Sequence, residues 1–186
     1  MKYLIGGLAT VAIFALAATL FFLGGVFNVA ATDQHAAITR WTLHTAMERS
    51  VRSHATEVAP PDAFTPQQAA AGFSEFNEMC VGCHGAPGKE RGEVGKGLNP
   101  QPPDLSKVAS RFSKAELFWI LKHGVKMTGM PAFGPTHSDD RLWSITAFLE
   151  QLPQVTPEQY AAKAQAAEKS GVDQHGAHSD KQEHHH

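Results

Sequence analysis

The chain has 186 residues with 16 basic and 18 acidic side chains, and a formal charge of −2 excludes a strongly basic nucleic-acid binder. A hydrophobic content of 42% is ordinary for a folded protein, but much of it lies in the first 32 residues, which leaves a small soluble part. Two cysteines cannot supply the four thiolates of an all-cysteine zinc site or a cysteine-ligated iron–sulfur cluster, and both fall within one five-residue stretch.

From Tyr3 to Thr32 no side chain is charged, and LIGGLATVAIFALAATLFFLGGVFNVA is nearly continuously apolar. About 20 such residues span a bilayer. A cleaved signal peptide is the competing reading, because Lys2 gives a weakly basic start and Val29-Ala30-Ala31 offers small residues for cleavage. The apolar run is far longer than a signal core of about 7 to 15 residues, which favours a retained anchor over 1–32. Lys2 on the short leading end places that end in the cytoplasm and the rest of the chain on the far side, the periplasm of a bacterium.

Residues 33–64 read as a juxtamembrane helix followed by a spacer. Between Gln34 and Ala55, Leu43, Met47, Val51 and His54 recur at intervals of four, four and three, with Arg40, Arg49 and Arg52 free to face water or headgroups. Trp41 suits a membrane interface, and Pro60-Pro61 ends the helix in a stiff linker. His54 has no second metal ligand at a suitable spacing and reads as structural.

The third segment, 65–155, carries three well-marked helices. Thr65-Pro66-Gln67-Gln68 is a capping-box start with proline at the first helical position, and Phe73, Phe76 and Cys80 share one face of a helix reaching about Cys83. Ser113-Lys114-Ala115-Glu116 opens a second helix through Leu117 to Leu121, closed by Gly124. Ser138 caps a third, with Leu142, Ile145, Phe148, Leu149 and Leu152 as its buried stripe and Pro153 as its stop. Trp143, beside that stripe, reads as packing. No alternating strand pattern appears, so the domain is all-α with one long Gly/Pro-rich loop from Gly85 to about Ser110.

So long a loop in a small domain needs an organiser other than secondary structure. Cys80-Val81-Gly82-Cys83-His84 is the C-x-x-C-H haem-attachment pattern: two thiols on one turn form thioethers to the macrocycle and the next residue reaches the iron. A C-x-x-C redox motif belongs beside a βαβ pattern, which is absent, and a zinc site lacks further ligands at suitable spacing. The motif therefore implies one covalently bound haem c on Cys80 and Cys83, with His84 as an axial ligand.

With these residues in place, the stretch from Thr65 to Leu152 resembles the class I c-type cytochromes. That family carries a glycine eight residues and an aromatic four residues before the first haem cysteine, at the crossing of its terminal helices, and here these are Gly72 and Phe76. Its second axial ligand is a methionine in a loop before the last helix, often Gly-Met-Pro, and this chain reads Gly129-Met130-Pro131-Ala132-Phe133-Gly134. The resemblance favours Met130 over Met127 as the soft ligand that stabilises reduced iron. It also implies a backbone acceptor for the other nitrogen of His84, at Pro102 or Pro103, and a tryptophan donating to a haem propionate, for which Trp119 is the candidate and core packing the alternative. The expected architecture is a cytochrome c fold around one haem, preceded by a transmembrane helix, closest to membrane-anchored bacterial monohaem cytochromes.

Between Thr65 and Pro153 there are nine basic and nine acidic residues, so long-range electrostatic steering of partners should be weak. Lys89, Arg91 and Lys96 could flank an exposed haem edge, diluted by Glu90 and Glu93, with a solvated loop as the plainer reading. The last segment, 156–186, opens with a third capping box, Thr156-Pro157-Glu158-Gln159, and continues as an alanine-rich helix in which Tyr160 is the single large apolar side chain. It is expected to be solvent-exposed and to run into a disordered tail holding His175, His178, His184, His185 and His186. The expected function is one-electron transfer between redox partners, among them an integral membrane oxidoreductase. The competing readings are a cytochrome subunit of a larger oxidoreductase and, with Met130 displaced, a haem enzyme or gas-binding protein.

Overall fold

The computed structural model describes residues 2–179. The chain divides after Gln34 into two units. The first is built on α1 (Lys2–Leu23), none of whose side chains is buried. Its 22 residues rise about 33 Å, enough for the hydrocarbon core of a bilayer. The two threonine hydroxyls inside the span are satisfied within it: Thr10 Oγ1 donates to the Gly6 carbonyl (3.0 Å) and Thr19 Oγ1 to that of Ala15 (2.8 Å). From Leu4 to Leu23 the helix therefore has no side-chain polar group that hydrocarbon would strand, and Lys2 and Tyr3 sit at its leading end.

The second unit is helical, and among the described residues its one β-type feature is an isolated bridge between Ala86 and Lys89. It contains α2 (Ala37–Ala55), α3 (Pro66–Glu75), a π-helical stretch Phe76–Cys80 running into α4 (Val81–His84), the short α5 (Glu93–Gly97) and α6 (Leu105–Val108), then α7 (Lys114–His123), α8 (Asp139–Gln151) and α9 (Pro157–Ser179). Helix starts follow the caps read from sequence. Thr65 and Ser113 form complete capping boxes with Gln68 and Glu116, Ser138 Oγ accepts from the Arg141 amide, and Thr156 exchanges bonds with Gln159.

The core forms where α3 crosses α8. Phe73 and Phe76 meet Phe148 with ring centroids 5.3 and 5.2 Å apart, and Leu142, Ile145, Leu149 and Leu152 complete the buried face of α8. Gly72 allows this crossing, because a β-carbon there would collide with the backbone carbonyl of Ser144. Backbone cannot swing aside as a side chain can, so Gly72→Ala should destabilise the holoprotein by about 3 kcal/mol or more, read as a lowered urea midpoint with unchanged slope. The crossing is fastened at its rim by Arg141, whose Nε and Nη2 grip the Glu75 carboxylate at 2.7–2.9 Å. On the other flank Phe118 of α7 stacks on Trp143 of α8 at 4.0 Å, which gives Trp143 the packing role expected of it.

Two expectations are corrected. The alanine-rich helix α9 is not wholly exposed, since Tyr160 has no accessible surface and Ala164 is also buried. Tyr160 packs against Phe73 (5.3 Å) and Phe76 (6.4 Å), and its hydroxyl donates to Asn77 Oδ1 at 2.8 Å. The inner face of α2 is shorter than the one expected: Val51 and Ala55 are buried and Met47 is half-buried, while Leu43 is exposed. Helix α2 docks on α7, where the His54 ring lies 5.6 Å from Trp119 and Arg52 approaches Glu116. Trp41 remains 65% exposed. Of the histidine-rich tail, His175 and His178 fall within the span of α9, and His184, His185 and His186 lie outside the described residues.

Candidate haem site

Helix α3 does not end before the C-x-x-C-H motif. It passes into the π-helical Phe76–Cys80, where the Val81 amide reaches back to the Phe76 carbonyl, and continues as α4 to His84. The sequence reading placed the end of this helix near Cys83. The wider turn is the kind of local irregularity that recurs at functional sites. Gly85, at φ +71°, then turns the chain sharply away.

Cys80 and Cys83 are not bonded to each other. Cys80 belongs to the core cluster and is 7% exposed, whereas Cys83 is half-buried. Burial, followed by the proximity of Cys83 and Glu75, pushes the Cys80 thiol up to about 12. A thiol held protonated is the opposite of a reactive redox cysteine, which requires a thiolate. Among the described residues no three His, Cys, Asp or Glu side chains converge as a metal-holding group.

His84 is the best defined group of the motif. Its Nδ1 lies 2.8 Å from the carbonyl oxygen of Pro103. A carbonyl can only accept, so Nδ1 carries the proton and Nε2 keeps its lone pair. Burial lowers the His84 pKa, the bond to Pro103 raises it, and the Arg91 charge lowers it further, with the balance downward. The ring is thereby held neutral with one donor nitrogen oriented by its neighbour, the arrangement required of a metal-ligating imidazole. Of the two prolines left open by sequence, Pro103 is the one that meets His84.

The long loop is clamped back onto the motif. Gly92 donates to the Gly82 carbonyl at 2.9 Å, and a β-carbon on Gly95 would stand 2.5 Å from the Cys83 carbonyl, so only glycine allows α5 to lie this close. Asp104 caps α6 through the Ser106 amide and so anchors the segment that presents Pro103.

The methionine loop hangs from the end of α7. Gly124, at φ +65°, closes the helix, and Val125 donates to the Met130 carbonyl (3.2 Å) while the Met130 amide donates to Thr128 Oγ1 (3.1 Å). Beyond it, Phe133 and Gly134 bond the Leu121 and Lys122 carbonyls at 3.0 Å. Met130 is partly buried against the core cluster, whereas Met127 is 78% exposed at φ +62°. The two loops meet where the Leu98 side chain lies against Gly129, beside Met130. Trp119 is half-buried between His54 and His123, 4.9 Å from the latter.

Donor set and geometry fit a C-x-x-C-H haem: two unbonded cysteines on one turn, an imidazole with an oriented free nitrogen, and a packed thioether on a loop that touches the motif's own loop. The family model of cytochrome c oxidase, cbb3-type, subunit III matches residues 67–149. This stretch is a class I c-type cytochrome domain. No curated protein matches the chain. The cytochrome domain so defined runs from the first turn of α3 to the last turns of α8 and contains Cys80, Cys83, His84, Pro103 and Met130. In sequence Arg91 is one of several loop cations and Leu98 carries no signal. Neither lies in a motif, and only the folding back of the loop brings them to the site.

Proposed function

We propose that this protein is a membrane-tethered monohaem c-type cytochrome that carries single electrons between redox partners on the periplasmic side of a bacterial membrane. The observation that carries the reading is the Nδ1–Pro103 bond, which aims a neutral His84 nitrogen away from its own backbone beside two free cysteines. When bound, haem c supplies an iron that cycles between two oxidation states one electron apart.

The residues have separate tasks in that reading. Cys80 and Cys83 would hold the macrocycle covalently, His84 Nε2 and Met130 Sδ would be the protein's ligands to its iron, and Pro103 keeps the imidazole oriented. Two protein ligands leave no axial position for substrate, which supports a carrier over a haem enzyme or gas-binding protein. Trp119 already has ring partners in His54 and His123, which supports packing over a propionate contact as its main role. Helix α1 serves as the anchor, and a tether holds the domain near its partners at high effective concentration without need of strong charge.

A second reading, a cytochrome c subunit of a larger membrane oxidoreductase, is favoured by the printed description of the matching family, an oxidase subunit. The test uses the full chain in membranes. It should stay with them through carbonate washing, stain for haem at its own mass on a denaturing gel, and titrate as one reversible one-electron couple with the methionine–iron absorbance of the oxidised form. Purification in mild detergent as a single polypeptide supports the free carrier, and co-purification with a stoichiometric catalytic subunit supports the second reading. Absence of covalent haem refutes both.

A further inference from the structure

A cavity of about 320 Å³ opens behind His84, on the loop that follows it. Its charged lining residues are Lys89, Glu90, Arg91 and Asp104. Three of the four are engaged elsewhere. Glu90 pairs with Lys96 at 2.9 Å, Asp104 with Lys107 at 3.0 Å, and the Lys89 ammonium lies 5.7 Å from the centre of the Tyr160 ring.

Arg91 differs from them. It has no ion pair among the described residues, and its Nε is buried without a hydrogen-bond partner. A buried guanidinium nitrogen left unpaired is costly unless the site uses its charge. Its backbone is fixed as well. The next residue, Gly92, donates to Gly82 inside the C-x-x-C-H turn, and the Arg91 amide nitrogen lies 3.3 Å from where a β-carbon on Gly85 would stand. The Arg91 side chain lines the same cavity as His84, and the two carboxylates of that cavity are paired with lysines instead. An arginine does not lose its proton at any physiological pH, so this charge is permanent.

We propose that Arg91 is a redox-tuning residue: an uncompensated, partly buried positive charge beside His84 that stabilises the reduced over the oxidised iron and raises the reduction potential. Oxidised haem carries one more positive charge than reduced haem, and a fixed cation in a medium of low dielectric penalises that form more. Burial makes the effect larger than that of an exposed lysine, whose field water and salt screen. The inference rests on His84 being an iron ligand, as proposed above.

The test is a spectroelectrochemical titration of the full-length holoprotein in detergent, comparing wild type with Arg91→Gln, Arg91→Lys and Lys89→Gln. Arg91→Gln should shift the reduced-to-oxidised ratio at a fixed applied potential about tenfold toward oxidised, equivalent to about 59 mV for a one-electron couple. Arg91→Lys should recover most of that shift, and Lys89→Gln, which removes a formal charge from the exposed side of the same loop, should move the ratio less than twofold. The methionine–iron band and the imidazole signals should persist in all three, which separates charge from displaced ligands. Equal shifts in Arg91→Gln and Arg91→Lys, or no shift in either, overturn the inference, as does a Lys89→Gln effect as large as that of Arg91→Gln. Should Arg91→Gln fail to retain haem, Arg91→Lys decides alone: a near-native potential supports tuning by charge, and a shift as large as tenfold refutes it. Covalent haem in the wild type with any of these negative outcomes sinks the tuning role alone, whereas a wild type without covalent haem sinks the cytochrome reading first.

Discussion

A Cys80→Ala, Cys83→Ala double variant is expected to carry no haem through a denaturing gel and to lose its native fold, with the helical circular dichroism of the second unit falling by roughly half or more. The reason lies in how little else organises the middle of the domain. Between Gly85 and Ser110 the α-helical structure consists of α5 and α6, five and four residues long, which are below the length at which a helix holds itself together. The Gly92 hydrogen bond and the close approach of Gly95 tie this loop to the Cys83 turn, so the loop inherits its order from the motif. A domain of this size with a thin core depends on a covalent or bound organiser. Cys80 also lies inside the core cluster, so its truncation removes packing as well as attachment. Haem staining at full strength in the double variant would show that the cysteines are not the attachment points. A native-like melting transition in the haem-free chain would show instead that the loop folds unaided.

The parts legible in sequence are those governed by local chemistry. Thr65, Ser113, Ser138 and Thr156 announce helix starts because a side-chain oxygen and an amide three residues on satisfy each other without help from the rest of the chain. The termination of α7 at Gly124 is equally local. The helical class and the cytochrome domain followed from such signals together with the C-x-x-C-H spacing.

What was illegible depends on partners distant in sequence. A lone Tyr160 among alanines carries no periodic signal, yet the hollow it fills is made by Phe73, Phe76 and Asn77, more than 80 residues earlier. The extent of the α2 face is illegible for the same reason. Its Leu43 sits where periodicity would bury it, but the burial of α2 falls toward its C-terminal turns, at Val51 and Ala55, and Leu43 remains exposed. Pro102 and Pro103 are chemically equivalent acceptors in sequence, and only the path of the chain into the Asp104 cap decides between them. Arg91 reads as one more loop cation until the neighbouring carboxylates are seen to be paired elsewhere.

Met130→Ala is expected to lower the reduction potential by on the order of 100 mV or more, within the ~0.8 V that axial ligands command, while Met127→Ala leaves it unchanged. On the proposed ligation, removing the Met130 thioether would take away the soft donor that favours reduced iron and open a coordination position to CO or cyanide. The structural contrast between the two methionines is large. Met130 is packed against the core and fixed at both its amide and its carbonyl, through Thr128 Oγ1 and the Val125 amide, so its side chain is presented by a rigid turn. Met127 projects into solvent from a backbone at φ +62°, a conformation that costs a non-glycine residue about 1 kcal/mol or more. Replacing Met127 with glycine should therefore raise stability by a similar amount with no change in the spectrum, since the left-handed turn would lose its strain and the iron would lose nothing. Potentiometry and CO binding on Met130→Ala, Met127→Ala and Met127→Gly form one series. A larger potential shift in either Met127 variant than in Met130→Ala would reverse the ligand assignment, and the loop would then have to turn inward at the position where it now points out.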